Sequence, residues 1–288
     1  MLSYRHAFHA GNYGDVLKHL VLVRILDHLV QKPAGLRYID THAGAGTYRL
    51  DSAEAQKTGE FRNGIGRLWA RDDLPVGLAR YVSLVRGFNE DLEQDPGAGN
   101  GLLGYPGSPW FARHLLRAQD RLELCELHPR DFLRLEADFA GARNVCCHAA
   151  DGFAVSLSMV PPVERRGLVL IDPSYELKAD YDGVVAHVRA LYRRFATGVY
   201  MVWYPIVDPA RPRRMENAWR DSGLRRIHVY ELSLTEDHSG PGMTGAGVAV
   251  VNPPWGLAED VASALRWFAP LVAERGRPLF RVEELVGE

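Results

Sequence analysis

Short, nearly continuous apolar runs recur along the 288-residue chain and alternate with segments of helical spacing. Strands buried on both faces of a parallel sheet have this composition, because neither face meets water. The helical spacing is plainest in residues 182–196, where Val184, Val188 and Leu191 share one face. This alternation predicts an α/β fold with a doubly wound, mostly parallel sheet. The predicted strands are LRYID (36–40), LELCE (122–126), NVCCHA (144–149), LVLID (168–172) and GVYMVWY (198–204).

The last part of the chain departs from this alternation. RRIHVYELSL (225–234) and GVAVVN (247–252) are both strand-like, and the Gly-rich connection between them is too short for a crossover helix. Parallel neighbours need about a dozen connecting residues, so these two strands should pair antiparallel. By analogy at the level of the fold, a terminal antiparallel hairpin favours an AdoMet-dependent methyltransferase over an NAD-binding domain.

The gap between the first two predicted strands is far longer than one crossover helix requires. Within it, FRNGIGRLWAR (61–71) and PVGLARYVSLVRGFNEDL (75–92) have the spacing of amphipathic helices. We therefore expect residues 47–105 to form an inserted helical subdomain. Residues 1–46 and 106–288 would then make up the catalytic domain.

Cysteine usage and hydropathy point to a cytoplasmic protein without a membrane partner. Cys125, Cys146 and Cys147 lie in strand-like runs without CxxC spacing, so we interpret them as small core residues and predict no metal. No apolar run approaches the roughly 18 residues of a membrane span, and the start of the chain has no apolar signal core.

The formal net charge of −2 argues weakly against a broad electrostatic surface for nucleic acid. Four local arginine clusters keep a polyanionic partner open, although a solvated face is the commoner explanation for each. These clusters are Arg165–Arg166, Arg193–Arg194, Arg211 with Arg213–Arg214, and Arg225–Arg226.

Acidic residues follow the predicted strands at their carboxyl ends. Glu126 is placed to accept both hydroxyls of a ribose, and Asp151 can accept from an adenine amino group beside Gly152, which leaves room for a flat ring. The turn Asp40-Thr-His-Ala-Gly-Ala-Gly lets the backbone approach a ligand. Position 49, where a dinucleotide fingerprint would have a third glycine, is arginine. These features favour a nucleoside ligand such as S-adenosylmethionine over NAD.

Two segments resemble the Asp/Asn-Pro-Pro-aromatic motif of amine methylation. In Asp172-Pro-Ser-Tyr175, the Asp172 carboxylate and the Pro173 carbonyl can accept both hydrogens of an exocyclic amine, while Tyr175 stacks on the base. Asp172 can also take the released proton. Asn252-Pro-Pro-Trp255 matches better in letters but ends the antiparallel strand, at the opposite sheet edge, so we interpret it as a structural turn. Ser174 replaces the second proline, and we expect function to survive with a less rigid loop.

The assembled motifs resemble those of the RlmJ-type bacterial 23S rRNA adenine-N6 methyltransferases, over essentially the whole chain. The segments that carry the resemblance are YRHAFHAGNYGDVLKH (4–19), DTHAGAG (40–46), YPGSP (105–109), ELHP (126–129), ADGF (150–153), LVLIDPSYE (168–176) and VVNPPW (250–255).

The resemblance implies methyl transfer from S-adenosyl-L-methionine to N6 of a specific adenine of 23S rRNA (position 2030 in the family's rRNA numbering), leaving S-adenosyl-L-homocysteine. It implies a monomer whose partner is protein-free or early-assembly 23S rRNA. Asp172, Pro173 and Tyr175 would be catalytic. Implied cofactor contacts are His19, His42, Gly44, Ser108, Glu126, Asp151, Gly152 and Asp172, and implied RNA contacts are Tyr4, His6 and Lys18.

Four alternatives stay open on the residues alone. The motif is shared with adenine-N6 methyltransferases of DNA and with glutamine-N5 methyltransferases of proteins. An NAD-dependent oxidoreductase is disfavoured by Arg49, and a non-catalytic RNA-binding module with the same fold needs an activity measurement to dismiss it. Read without the resemblance, His6 and His19 would be packed or surface histidines, and Lys18 a flank charge on a helix over residues 15–30 that Asn12 or Asp15 caps.

Overall fold

The computed structural model describes residues 5–93, 101–176, 180–236, 242–274 and 277–288. Among these residues, ten strands form one eight-stranded sheet and one separate two-stranded antiparallel sheet. The strands are β1 (Arg37–Asp40), β2 (Thr47–Arg49), β3 (Gly104–Pro106), β4 (Arg121–Cys125), β5 (Val145–His148), β6 (Gly167–Ile171), β7 (Val199–Ile206), β8 (Ile227–Ser233), β9 (Gly245–Val251) and β10 (Leu279–Val286).

Nine α-helices and three short 3-10 helices connect the strands in the described part of the chain. The 3-10 helices are His6–Phe8, Glu60–Asn63 and Ile65–Arg67. The α-helices are α1 (Tyr13–Leu29), α2 (Ala53–Thr58), α3 (Val76–Glu93), α4 (Ser108–Leu115), α5 (Pro129–Asp138), α6 (Gly152–Met159), α7 (Asp180–Arg194), α8 (Ala210–Arg220) and α9 (Leu257–Val272).

The large sheet has the strand order β10-β8-β9-β7-β6-β1-β4-β5. The five strands β7, β6, β1, β4 and β5 run parallel, whereas β9 is antiparallel to both β7 and β8. The predicted α/β class and the antiparallel pairing of the two late strands are therefore confirmed. The edge strand β10, which pairs with β8, was not predicted.

Helices cover both faces of the sheet and divide the core into two apolar layers. One layer joins alternate residues of the central strands, such as Tyr38 and Leu168, to α1, α4 and α9. The other joins the intervening residues, such as Ile171 and Val202, to α7 and α8. Because both faces are covered, the strand ends are the accessible part of the sheet centre, and side chains placed there can meet a ligand.

Helix α1 is buried around most of its circumference, which is unusual for a helix that carries charge. Its buried residues include Asp15, Lys18 and His19 beside Val16, Leu17 and other apolar residues. A helix apolar on nearly every side packs inside the molecule and not on its surface. Helix α1 therefore carries three polar side chains into the interior, where each needs a partner.

The segment between β1 and β4 differs in part from its predicted form. Its second predicted helix exists as α3, but FRNGIGRLWAR forms two 3-10 helices and not one amphipathic α-helix, which corrects that prediction. A Cβ atom on Gly64 would lie 2.1 Å from the backbone oxygen of Gly11, so this glycine permits a close chain crossing where a regular helix cannot continue. The antiparallel pair β2 and β3 brings the two ends of the segment together. The boundaries 47 and 105 of a separate subdomain remain a prediction.

The cysteines also differ from their predicted positions. Cys125 is buried as expected, but Cys147 is only partly buried and Cys146 is exposed. Strand β5 is the edge of the sheet, and the side chain of Cys146 points to the face that the helices there leave open. The prediction that all three are core residues is therefore wrong for Cys146.

In the described part of the chain, no helix combines the length and the apolar character needed to cross a membrane.

The N-terminal cap of α1 gives a test of how that helix is held. The Asn12 side chain accepts a hydrogen bond from the backbone N–H of Asp15 at 2.9 Å, and it donates to Glu60. Asn12→Ala should lower the free energy of unfolding in urea by about 1 kcal/mol, because a buried helix donor loses its acceptor. Asn12→Ser keeps an acceptor and should retain most of that stability. An equal loss in both variants would show that the contact with Glu60, and not the cap, matters.

Candidate active site

Four acidic residues follow parallel strands at one edge of the sheet. Asp40 ends β1 and lies in register with Leu124 of β4 and Leu170 of β6. Glu126, Asp151 and Asp172 follow the ends of β4, β5 and β6 within a few residues. Because these strands all run parallel, their carboxyl ends share one edge, and the predicted common edge is observed.

A series of buried ion pairs joins Asp172 to residues near the start of the polypeptide. The Lys18 ammonium donates to Asp172 Oδ2 at 2.8 Å and contacts Asp15 Oδ1 at 2.9 Å. The other oxygen of Asp15 contacts His6 Nε2 at 2.9 Å and accepts from the Gly11 backbone N–H at 2.9 Å. The structure thus brings His6, Lys18 and Asp172 into one network through Asp15.

The charges in this network stabilise one another. Burial alone would raise the pKa of Asp15, but the charges of His6 and Lys18 hold that pKa well below its ordinary value. Burial alone would lower the pKa of Lys18, but Asp15 and Asp172 raise it well above its ordinary value. Lys18 is therefore a fixed cation shared between two carboxylates, and it lies 5.8 Å from the centre of the Trp203 ring.

The loop after β6 holds Tyr175 in an uncommon conformation. Its φ angle of 52° lies in the left-handed region, which bulky residues rarely adopt and which recurs at functional sites. The Tyr175 hydroxyl donates to the Trp203 carbonyl at 2.6 Å, and its ring lies 4.6 Å from that of Tyr181. The ring is buried, so stacking of Tyr175 on a base stays a prediction. Pro173 is buried beside it, while Ser174 is partly exposed.

Glu126 holds the turn after β1 against the end of β4. Its carboxylate accepts from the backbone N–H of Gly44 at 2.9 Å and from that of His128 at 2.6 Å. Burial raises the pKa of Glu126, and the two N–H donors oppose that rise. Glu126 is half-buried. Its two hydrogen bonds join the turn containing Gly44 to the carboxylate, and together they form one rigid unit at the sheet edge.

Asp151 caps helix α6, and Gly152 fits where a larger residue would not. The Asp151 carboxylate accepts from the backbone N–H of Phe153 at 2.9 Å and remains exposed. A Cβ atom on Gly152 would lie 2.0 Å from the Thr41 carbonyl oxygen. The capping role, which is the commoner one for such an acid, is therefore present, and the close approach of Gly152 to the β1 turn explains the glycine.

His42 lies between these acids. Burial lowers its pKa to about 4, although the charges of Asp172 and Asp151 oppose the change. Its ring is 5.0 Å from that of Phe153 in an edge-on arrangement, and its Nδ1 lies 2.8 Å from the Thr41 hydroxyl. A neutral imidazole at this position can donate or accept one hydrogen bond without adding charge.

Ser108 and His19 occupy the interior side of the same edge. The Ser108 hydroxyl donates to Asp40 Oδ2 at 2.7 Å, and the Tyr38 hydroxyl donates to the same oxygen at 2.8 Å. His19 Nδ1 lies 2.7 Å from the Tyr105 hydroxyl. Its Nε2 atom is buried without a hydrogen-bond partner among the described residues, which leaves one polar group of the site unsatisfied.

The turn after β1 does not continue into a helix. Gly44 and Gly46 have φ angles of 63° and 80°, and the chain then enters strand β2. A dinucleotide site needs a helix whose N-terminal N–H groups face the pyrophosphate. The absence of that helix in this described turn supports the argument that Arg49 gave against NAD.

The rival motif lies at the other edge of the sheet. Val251, which precedes Asn252, pairs with Tyr200 near the start of β7. The Asn252 side chain donates to the carbonyls of Ala196 and Gly198, at 2.9 and 2.8 Å. Asn252 therefore connects the entry of β7 to the exit of β9, as expected of a structural turn.

Sequence reasoning missed two residues that organise the site, Asp15 and Trp203. Asp15 was considered only as a cap, although its spacing of three residues from Lys18 puts both on one helix face. Trp203, within the apolar run of β7, accepts from Tyr175 and donates through its ring N–H to the Gly14 carbonyl at 3.3 Å. Nothing in the sequence distinguishes it from a core aromatic. Tyr4 lies outside the described residues.

Two cavities of about 320 and 800 Å³ lie between the inserted segment and helices α4 and α5. Their linings include Tyr48, Phe88, Trp110 and Asp138, and among the described residues they contain none of the predicted site side chains. The candidate site is therefore defined by the chemistry of the strand ends and not by cavity size.

The buried Asp40 predicts a specific pH dependence of stability. Burial raises its pKa to about 6 in the folded chain, above the ordinary value of 3.8. Between these values the folded state binds more protons than the unfolded state, so the stability that Asp40 contributes is complete below about pH 4 and is lost as the pH rises through 6. The loss should be on the order of 2–3 kcal/mol. Urea unfolding from pH 4 to 7 measures it. Asp40→Asn should flatten this part of the profile, and an unchanged profile would contradict the assignment.

Comparison with known proteins identifies the family. A family model described as "RsmJ: Ribosomal RNA large subunit methyltransferase D, RlmJ" matches residues 33–283. Two curated relatives, each called "Ribosomal RNA large subunit methyltransferase J", are similar over the full length of both chains. The protein from Haemophilus influenzae is 45% identical over 288 residues, and that from Escherichia coli is 44% identical over 288 residues.

Solved structures agree with this match. A crystal structure of a Legionella pneumophila protein has a TM-score of 0.85 and 34% identity, and the match covers 96% of this chain and 98% of that one. A probable spermidine synthase from Corynebacterium glutamicum, 13% identical with a TM-score of 0.52, matches over 95% of this chain and 75% of its own, and shows the fold alone. The architecture is the Rossmann-like methyltransferase fold. The chain therefore belongs to the RlmJ family of ribosomal RNA large subunit methyltransferases.

Proposed function

We propose that this protein transfers a methyl group from S-adenosylmethionine to the N6 amino group of an adenine in 23S rRNA. The observation that carries the proposal is the position of Asp172-Pro-Ser-Tyr175. The motif ends a parallel strand at the edge where Glu126 and Asp151 also lie, and Lys18 anchors its carboxylate. Membership of a ribosomal RNA methyltransferase family makes RNA the favoured substrate over DNA or protein.

The residues at this edge fit S-adenosylmethionine. Carboxylates after two successive strands, Glu126 and Asp151, suit the hydroxyls of a ribose and the amino group of an adenine. Neutral His42 and the adjoining Phe153 ring suit an uncharged base, and the turn after β1 lacks the helix that a pyrophosphate needs. The unpartnered Nε2 of His19 adds a polar group that a ligand or a small movement of the ring can satisfy. Ser108 and Gly44 are the remaining residues that we assign to the cofactor site.

The cofactor, when bound, supplies an electrophilic methyl group on a sulfonium centre. The protein has to make the adenine amine a competent nucleophile, because its lone pair is delocalised into the ring. The Asp172 carboxylate and the Pro173 carbonyl would accept the two amine hydrogens and align the nitrogen for in-line attack. Asp172 then accepts the proton that the methylated nitrogen releases.

Lys18 limits what Asp172 can do. It already donates to one oxygen of Asp172, so the other oxygen is the one available to the amine. A lysine held between Asp15 and Asp172 also keeps the position of the carboxylate fixed before substrate arrives. The preorganised acceptor avoids a rearrangement during the reaction, which is how a fixed polar group lowers a barrier.

The arginine clusters are divided unequally between the two sheet edges. Arg211, Arg213 and Arg214 begin α8, directly after the carboxyl end of β7, so they lie at the edge of Asp172. The clusters at Arg165, Arg193 and Arg225 precede strands or end helices at the opposite edge. Arg213 and Arg214 are exposed, and they are therefore the basic residues best placed to contact RNA phosphates near the site.

The proposal is tested by tritium transfer from labelled S-adenosylmethionine to protein-free, unmodified 23S rRNA, with the labelled nucleoside identified after digestion. The wild-type chain should yield N6-methyladenosine. Asp172→Asn should lower the transfer rate roughly 10²–10⁴-fold, the range for removal of a positioned proton acceptor.

Trp255→Ala is the matched control, because it removes the exposed aromatic of the rival motif. It should transfer at the wild-type rate. Transfer that survives Asp172→Asn but fails in Trp255→Ala would reverse the assignment of the two motifs. If the RNA stays unlabelled although calorimetry shows that S-adenosylmethionine binds, protein-free rRNA is rejected as the substrate.

The double variant Arg213→Ala with Arg214→Ala tests the RNA contact. If each arginine contacts one phosphate, the slope of log RNA affinity against log salt concentration should become less negative by about two. Affinity for S-adenosylmethionine should not change. The control variant, Arg193→Ala with Arg225→Ala, removes the same charge from the opposite edge. Equal effects of the two variants on RNA binding would show that the contact is not local to the active edge.

A further inference from the structure

Three side chains of different chemistry meet at the open edge of the sheet, outside the candidate active site. Glu123 of β4 lies in register with Cys146 of β5, and His148 is two residues further along β5. Alternate residues of a strand point to the same face, so all three side chains share one face of the sheet. One ligand atom from each, the Glu123 oxygen, the Cys146 sulfur and a His148 nitrogen, lie within 4.8 Å of one another.

We propose that Glu123, Cys146 and His148 bind a divalent cation of the zinc class, with a water as the fourth ligand. Thiolate and imidazole together favour zinc and similar ions over magnesium or calcium. Zinc bond lengths place neighbouring ligand atoms roughly 3.3–3.8 Å apart in a tetrahedron. The three ligand atoms, now within 4.8 Å of one another, would reach that spacing by side-chain rotation.

Two of the three ligands already lie side by side, joined by a hydrogen bond that a bound ion would replace. His148 Nε2 lies 2.9 Å from Glu123 Oε2. Cys146 is exposed and the His148 side chain is 33% exposed, so an ion can enter from solvent. A bound dication would balance the charges of one thiolate and one carboxylate, and the site would be neutral overall.

Glu123 can give up its ion pair with Arg37 because Glu164 can bind Arg37 instead. Arg37 contacts Glu123 at 3.1 Å and Glu164 at 3.2 Å. Arg37 Nε and Glu164 Oε2 are both buried and have no hydrogen-bond partner among the described residues. If Arg37 turns fully towards Glu164, this unused donor and this unused acceptor can form the second bond of a bidentate pair. The Glu123 carboxylate is then released to the ion, and no buried charge is left unpaired.

The proposed ion would join the edge strand β5 to β4, a few residues before Glu126 and Asp151. The His148 carbonyl accepts from the backbone N–H of Glu126 at 3.0 Å, and Asp151 follows three residues after His148. Within the described ranges, strand β5 pairs with one strand, β4. A metal bridge between β4 and β5 would therefore oppose fraying of the strand that carries Asp151.

The test is titration of the chelator-treated full-length chain with Co²⁺, a spectroscopic probe for zinc sites, followed by competition with Zn²⁺. One equivalent should give a near-ultraviolet thiolate-to-cobalt charge-transfer band, and Zn²⁺ should remove it. Cys146→Ser should abolish the band, and His148→Ala should weaken Co²⁺ binding at least tenfold. Cys147→Ser, which alters the adjacent cysteine on the other face, should keep the band and the affinity.

Circular dichroism without metal checks that every variant is folded. A band that survives Cys146→Ser, or one that Cys147→Ser removes, would overturn the proposal. So would the absence of a band in the folded wild-type chain at one equivalent of Co²⁺. The measurement does not depend on methyl transfer, so its outcome is separate from that of the proposed function.

Discussion

The buried ion pairs of Lys18 with Asp15 and Asp172 are the interaction on which the site depends. A lysine inside a protein is costly unless its charge is matched, and here two carboxylates from different parts of the chain match it. Removal of Lys18 would leave both carboxylates without the cation that they share. Helix α1 and the loop after β6 therefore have to assemble together. This explains how a helix near the start of the chain comes to support a motif some 150 residues later.

The direction of the strands places the two similar motifs at opposite edges of the sheet. Parallel strands deliver their carboxyl ends to one edge, where the acids after β1, β4, β5 and β6 converge. Strand β9 runs the other way and delivers Asn252 to the opposite edge, where its side chain binds backbone carbonyls near the start of β7. The residue sequence of a motif is therefore less informative about its position in the fold than the direction of the strand that precedes it. The same reasoning separates the arginines at the start of α8 from the other clusters.

The sequence predicted the parallel strands, the late antiparallel pair and the acidic edge, because apolar runs and their terminal acids are local signals. It failed where a long-range contact decides. A glycine is needed at position 64 because the chain crosses closely there at Gly11. Asp15 matters because Lys18 connects it to Asp172, a contact that exists only in the folded chain. Cys146 lies in an apolar run like its neighbours and is exposed because β5 is an edge strand. Strand β10 was missed because its charged residues break the apolar pattern of the inner strands.

The departure at Ser174 has a structural counterpart in Tyr175. A second proline would restrict the loop by fixing one φ angle. In this chain, the Tyr175 hydroxyl donates to the Trp203 carbonyl, and the ring packs against Tyr181. These contacts hold Tyr175 in a left-handed conformation that it would not keep unaided. The residue next to Ser174 is thus restrained by contacts of its own, through the same tryptophan whose ring N–H donates to Gly14 at the start of α1. The loop, β7 and the lysine-bearing helix form one connected support for Asp172.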